Sequence, residues 1–260
     1  YNTAVGFEAG KSVTTGIVNT ITGALAGDAL TTGSAHVAIG TQALSTEDAG
    51  NSCIAIGYQA LLNQNVDGEV HNVAIGRAAG KEITTGTTNT LIGGLAGDAI
   101  TTGVRNTAVG YSALSSETGA GQLTAIGQDA LKTYNKGSGD GNNVAVGYHS
   151  AQLMSTGTNS VIIGALAGNA LTTGSSNVLG NEDTGSKNIA IGSSALENLN
   201  NDADSYNVAV GHNAGREVTT GTGNTLIGGQ AGDALTTGFE NVAIGKNALG
   251  GDVAGAENVA

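Results

Sequence analysis

A short motif that recurs at a nearly constant spacing constrains this chain more than any other feature of its sequence. The motif is Asn-x-Ala-Val/Ile-Gly, and its terminal glycine, the key glycine, occurs fifteen times between positions 6 and 245. Counted along the sequence, nine of the fourteen intervals are 17, one is 16, and the others are 12, 19, 19 and 20. Self-similarity at a fixed period of this kind is typical of a fold built from stacked repeats.

The residues before each key glycine predict a short β-strand, because β-branched residues flank a small residue and turn formers bound the run. The two β-branched positions share one face of the strand and the Ala position takes the other. Both faces are apolar, so we expect one to be buried in the chain's own core and one against a partner. We assign the β-branched residues to a core ladder. We therefore expect Ile75→Asp and Ile92→Asp to disrupt the fold, because they place unpaired charge in the core. The ladder residues are Val37, Ile39, Ile54, Ile56, Val73, Ile75, Ile92, Ile126, Ile191, Ile227 and Ile244.

The period predicts an all-β fold, a parallel β-solenoid or β-roll of about 15 short coils. Seventeen residues suffice for one narrow turn, and stacked turns pair at about 4.8 Å. A helix is excluded because β-branched residues and Gly dominate and no 3.6-residue stripe persists. The second apolar face predicts an intertwined or side-by-side homotrimeric fibre, and the pattern leaves open which face is the trimer interface.

A second period groups the turns in fours. The residue four positions after the key glycine is Gly in the first two turns of most groups and Leu in the next two. Residues 1–260 are therefore predicted to form one continuous array, interrupted at both ends, with the four-turn blocks 2–71, 72–142, 143–206 and 207–260. The longer fourth turns predict loops at 62–71, 132–142 and 197–206. Leu179 is the exception at the last strand position, before Gly180.

Composition excludes several functions. The formal net charge is -12, which disfavours nucleic acid and anionic membranes as partners. Cys53 is the only cysteine, and we interpret it as a small buried thiol. The four histidines occupy unrelated repeat positions, and a thin solenoid offers no deep cleft, so we predict no enzyme activity and no cofactor. No apolar run is long enough to span a membrane.

Metal and ice binding are weaker interpretations. Asp28, Asp98 and Asp233 recur once per block, too far apart to share a calcium ion, and we interpret them as turn caps. The pairs Glu47/Asp48 and Glu182/Asp183 are interpreted as solvated surface charge. Repeated Thr-Thr-Gly segments suggest an ice-binding ladder, but the third and fourth turns of each block interrupt it. We therefore predict no metal site.

The residue after the key glycine varies widely and includes charged residues, which predicts that this position is exposed. Three tyrosines occupy it, Tyr58, Tyr111 and Tyr148. An exposed tyrosine can stack on a sugar, so these residues are candidate contacts for a host-surface glycan, although isolated surface aromatics are common.

The units Asn-Thr-Ala-Val-Gly-Tyr-Ser-Ala-Leu (106–114) and Asn-Val-Ala-Ile-Gly-Lys-Asn-Ala-Leu (241–249) resemble the repeats of bacteriophage tail-fibre proteins. More distantly they resemble the Val-Ala-Ile-Gly repeats in the heads of trimeric autotransporter adhesins. The resemblance covers essentially the whole chain. It implies a homotrimer of parallel β-rolls that serves as a rigid extracellular segment of a virion tail fibre in host attachment. The alternative is a head or stalk repeat of a bacterial surface adhesin, and the third interpretation is a monomeric ice- or calcium-binding solenoid.

Overall fold

The computed structural model describes residues 1–169, 171–179, 184–192 and 194–260, in two units, Tyr1–Gly141 and Asn142–Ala260. Each unit consists of short strands and turns, and the described residues contain no helix. Successive strands of the main sheet in each unit are parallel, and most of them lie one repeat apart in sequence. The predicted all-β, parallel β-solenoid fold is therefore confirmed.

The first unit has ten strands. Eight of them form one parallel sheet in chain order, and equivalent residues pair, as Thr3 pairs with Thr20 and Ile54 with Val73. The other two, the fourth and the sixth, pair with each other. The ten strands are β1 (Thr3–Val5), β2 (Thr20–Thr22), β3 (Val37–Ile39), β4 (Gly50–Asn51), β5 (Ile54–Ile56), β6 (Gly68–Glu69), β7 (Val73–Ile75), β8 (Thr90–Ile92), β9 (Thr107–Val109) and β10 (Thr124–Ile126).

The second unit repeats this arrangement with nine strands. Seven form a parallel sheet in chain order, and the fourth and sixth of the nine pair with each other. The nine strands are β11 (Val144–Val146), β12 (Val161–Ile163), β13 (Val178–Leu179), β14 (Thr184–Ser186), β15 (Ile189–Ile191), β16 (Asn200–Asp204), β17 (Val208–Val210), β18 (Thr225–Ile227) and β19 (Val242–Ile244).

The longer fourth turns are not wholly loops. Strand β6 lies within the predicted loop 62–71, and β16 lies within 197–206. In the loop 132–142, Asp140 forms a parallel bridge with Gly121 of the preceding turn. The added residues thus extend the stacking, because their backbone groups find partners in the neighbouring turn.

The register at β13 corrects one detail of the repeat. Val178 pairs with Val161, and Leu179 pairs with Ile162. Leu179 is therefore aligned with the middle residue of β12, not with its last residue, and β13 keeps the regular one-repeat spacing from β12. The acidic pair Glu182/Asp183 lies outside the described residues.

The inner face of the sheet is the face opposite to the one we assigned. From β2 onwards the middle residue of each three-residue strand in the main sheet is buried, as for Ala38, Ala74 and Leu91, and Ala4 in the first strand is exposed. All eleven residues of the predicted core ladder are instead half-buried or exposed: Val37, Ile39, Ile54, Ile56, Val73, Ile75, Ile92, Ile126, Ile191, Ile227 and Ile244. That assignment is wrong for the single chain. The interior is narrow, so the small residue points inward and the β-branched pair points outward.

The four-turn period follows from side-chain volume in this narrow core. In the second turn of each block the middle strand residue is large, as Ile21, Leu91, Ile162 and Leu226, and all four are buried. In most third and fourth turns that residue is Ala, and a buried leucine such as Leu114 fills the space from the position four after the key glycine.

The glycines of the first two turns leave room for the large residue. A Cβ at Gly80 would lie 2.8 Å from Leu91 Cδ1, and a Cβ at Gly97 would lie 2.9 Å from Leu91 Cδ2. Leu91 therefore fills the space next to both glycines, and a side chain at either position would force Leu91 to shift.

A column of asparagines satisfies the buried backbone next to the strands. Asn89 is buried, and its Oδ1 accepts a hydrogen bond from the backbone N–H of Asn106 in the next turn at 2.9 Å. Its Nδ2 donates to the carbonyl of Gly103, also at 2.9 Å. Each asparagine thus fixes one donor and one acceptor of the turn that follows.

His36 takes an asparagine position in this column. Its Nδ1 accepts from the N–H of Cys53 at 3.2 Å, and its Nε2 lies 2.6 Å from the carbonyl oxygen of Gly50. The neutral ring with its proton on Nε2 reproduces both bonds of an asparagine. Burial lowers the pKa of His36 below its ordinary value of 6.5, and this outweighs the upward effects of the Gly50 carbonyl and of Glu47.

We expect this histidine to make stability depend on pH. Because the folded pKa lies below the unfolded one, the unfolded chain takes up the proton first. The contribution is complete above pH about 6.5 and is lost as the pH falls from there towards the folded pKa. Urea unfolding of the wild type and of His36→Asn, between about pH 5 and 8, should show a smaller acid-side loss in the variant. Identical pH profiles would contradict this role.

Candidate functional site

The outward-facing residues of the two sheets form the most distinctive surface in the structure. We call the last residues of the main-sheet strands the outer stripe. In the first unit they stack in the order Val5, Thr22, Ile39, Ile56, Ile75, Ile92, Val109 and Ile126. In the second unit the described side chains of the stripe are Val146, Ile163, Ile191, Val210, Ile227 and Ile244.

The outer stripe is apolar and accessible. Ile92 is 37% exposed and Ile163 is 60% exposed, and no residue of the stripe is charged. The first residues of the same strands, which share this face, are Thr, Val or Ile. A contiguous apolar surface of this kind is typical of an interaction site. It has no group for acid–base chemistry and no metal ligand, so it is suited to packing against another apolar surface.

Regular stacking keeps the stripe continuous over the eight main-sheet strands of the first unit, and over β11–β12 and then β15, β17, β18 and β19 of the second. Strands pair residue by residue, so each side chain lies beside its equivalent in the next turn, for example Ile54–Ile56 beside Val73–Ile75. Adjacent parallel strands are about 4.8 Å apart, close enough for β-branched side chains to touch along the column. The partner of such a surface needs a matching straight, apolar column.

The three candidate tyrosines are exposed, but they do not form one site. Tyr58 follows β5 and Tyr111 follows β9, with β7 and β8 between them in the sheet. Tyr111 lies against Gly94 of the preceding turn, where an added Cβ would be 3.5 Å from Tyr111 Cδ2. Tyr148 is in the second unit and stacks on His149 with ring centroids 3.9 Å apart. Their role as glycan contacts stays a prediction.

The other chemically interesting side chains are dispersed. Cys53 is buried, and burial raises the pKa of its thiol to about 11. Asp28 lies 3.5 Å from Lys11 in an ion pair, and burial raises the pKa of Asp98. The interpretation of these aspartates as turn caps stays a prediction. No cluster of three or more His, Cys, Asp or Glu among the described residues is arranged to hold a metal ion.

Glu47 contradicts the interpretation of the acidic pairs as solvated charge, because its side chain is fully buried. Its carboxylate accepts hydrogen bonds from the N–H of Gly50 at 2.7 Å and from Gln64 Nε2 at 3.1 Å. Glu117, at the equivalent position of the next block, is buried in the same way and accepts from the N–H of Ala120 at 2.7 Å and of Lys136 at 3.0 Å. Both glutamates attach a longer fourth turn to the turn before it.

Sequence reasoning missed these two glutamates although a signal was present. Both lie seven residues after a key glycine, where other turns place buried apolar residues such as Leu30 and Ile100. An inward position occupied by an acidic residue indicates a buried carboxylate whose hydrogen bonds are satisfied by backbone.

Comparison with protein-family models, curated proteins and solved structures finds no match. The described residues contain no helix long and apolar enough to cross a membrane. Function must therefore be argued from the surface itself.

Proposed function

We propose that this chain is a structural, non-enzymatic segment of an extracellular fibre, a phage tail fibre that acts in host attachment. Three copies assemble in parallel, with their outer stripes turned towards a common axis. The observation that supports this proposal is the outer stripe, a column of exposed β-branched residues with no charge along it. Burying three such columns against one another removes apolar surface from water over the length of each unit.

The stacking supports a role as a rigid spacer. Each turn is held to its neighbours by backbone ladders, the asparagine column and a continuous core, so the chain resists bending in the way that repeat solenoids do. The dispersed polar side chains support a mechanical role over a chemical one. The tail-fibre assignment itself depends on the resemblance of the repeats.

We expect the wild-type chain to have a solution mass three times its 25.3 kDa in light scattering coupled to size exclusion. Changing Ile92 and Ile126 together to Lys should reduce the mass to that of one chain, because each assembly would otherwise bury six ammonium groups. Both residues are more than a third exposed in the single chain, so the fold itself should tolerate the change.

The matched control is Thr85→Lys with Thr102→Lys, which adds the same charges at exposed turn positions away from the stripe. This control should keep the trimeric mass. A wild type with the mass of one chain would overturn the trimer. A stripe variant that stays trimeric would show that the copies meet elsewhere.

A further inference from the structure

One segment of the second unit contains no charged residues. Residues 141–181 contain no Asp, Glu, Lys or Arg, in a chain with 30 such residues and a net charge of -12. The first two turns of the third block lie in this segment. The charge-free surface is separate from the outer stripe, because it is formed by the turns that follow the strands.

Equivalent turns in other blocks show which charges are missing. In the second block, Lys81 Nζ lies 3.0 Å from Glu82 Oε1, and Asp98 follows in the next turn. In the fourth block, Arg216 Nη2 lies 2.7 Å from Glu217 Oε1, and Asp233 follows.

In the third block the same three positions hold Gln152, Leu153 and Asn169. Two charged side chains are thus replaced by amides of similar shape and one by leucine. The fold does not require this change, since charged residues occupy the same positions in the second and fourth blocks.

These residues form one surface with their neighbours, and we call Tyr148, His149, Gln152, Leu153, Leu166 and Asn169 the neutral patch. The N–H of Leu166 donates to the carbonyl of Tyr148 at 2.8 Å, and the N–H of Leu153 donates to that of Asn169 at 3.3 Å, so the two turns run side by side here. Tyr148, Leu153 and Leu166 are 51%, 50% and 46% exposed. Large exposed apolar side chains with no charged residue in their own two turns have the composition typical of the centre of a protein–protein interface.

We propose that the neutral patch binds the neutral patch of a second copy of this chain, so that two fibres associate side by side. The net negative charge of the chain favours contact between two copies at this patch. Two copies that approach through the turns of the other blocks bring charged residues together, whereas contact here places no Asp, Glu, Lys or Arg of the patch in the interface. A two-fold axis pairs the patch with itself, as in most homomeric contacts. This association does not use the outer stripe, so it leaves the assembly proposed above, which the outer stripes hold together, intact.

Sedimentation velocity over a range of protein concentrations tests the proposal. The base mass is that of the assembly held by the outer stripe. The expected result is a species of twice the base mass, followed by higher multiples as concentration rises, because a trimer carries three patches. The associated fraction should rise with NaCl, since salt screens the repulsion between the acidic chains. The test variant transfers the second-block residues into the third block as Gln152→Lys, Leu153→Glu and Asn169→Asp. It should lower the association constant at least about tenfold, because association would have to desolvate three charged side chains on each copy.

The matched control carries the same three kinds of charge at exposed turn positions of the first unit, as Thr15→Lys, Thr32→Glu and Thr85→Asp. It should associate as the wild type does. Unchanged far-UV circular dichroism and melting temperature would show that the test variant is folded. A wild type that never doubles, or a folded test variant that doubles as well as the control, would overturn the proposal. The base mass, measured in the same run as the mass of the smallest species, tests the proposed trimer separately from the contact between neutral patches.

Discussion

A variant that carries both Leu91→Ala and Gly97→Leu is expected to lose less unfolding free energy than the sum of the losses caused by the two single changes. Leu91→Ala alone should cost about 2–5 kcal/mol, because it empties a fully buried volume next to two glycines. Gly97→Leu alone should cost about 3 kcal/mol or more, since its Cβ would lie 2.9 Å from Leu91 Cδ2. The double variant gives the second turn the Ala and Leu of the third turn, where Ala108 is combined with Leu114. It keeps Ile100, whose Cδ1 lies 2.8 Å from a Cβ at Gly97, where the third turn has Glu117.

Urea unfolding of the four proteins measures this compensation as a double-mutant cycle. We expect a favourable coupling of about 1–3 kcal/mol between the two sites. Compensation should be incomplete, because Leu91 also fills the space next to Gly80, and that space stays empty in the double variant. Additive costs would show that the core does not impose the four-turn period.

The second large effect is expected at the asparagine column. Asn89→Ala should lower the free energy of unfolding by about 2–4 kcal/mol, because the N–H of Asn106 and the carbonyl of Gly103 lose their buried partner. Asn89→His should cost less, because His36 already provides both bonds from an equivalent position. Chemical denaturation of the three proteins gives the comparison.

Asn63→Ala is a suitable control for that experiment. Its side chain is half-buried and donates to Glu82 at 2.7 Å, and it does not support the backbone of the next turn. The cost should be below about 1 kcal/mol. Equal costs for Asn63→Ala and Asn89→Ala would contradict the importance of the column.

The period of the sequence was sufficient to predict the strands, their parallel pairing and nearly all of their register. Positions that recur once per repeat must stack, and the motif leaves a three-residue strand little choice of alignment. The register predicted for Leu179 is wrong because the glycine after it resembles a key glycine. Its pairing with Ile162 shows the correct position. Local motif matching carries no information about the neighbouring turn.

The sequence did not show in the same way which face of each strand points into the core. Ala74 and Ile75 are both apolar, and the hydrophobic effect alone favours burying the larger side chain. The narrow interior reverses this preference, because the wall opposite Ala74 leaves room only for a small residue or for one leucine shared between turns. The burial of Glu47 depends likewise on backbone donors that come from two turns, and no local pattern displays them.

The alternation of large and small inner residues also determines how such an array can change its length. A single inserted turn would place a large middle residue beside a turn leucine, or a second glycine turn without a large middle residue next to the first, and either defect persists at the insertion point. Inserting four turns restores the sequence of inner residues on both sides, including Leu91 next to Gly80. Side-chain volume therefore makes the four-turn block the natural step by which genes of this kind lengthen or shorten their product.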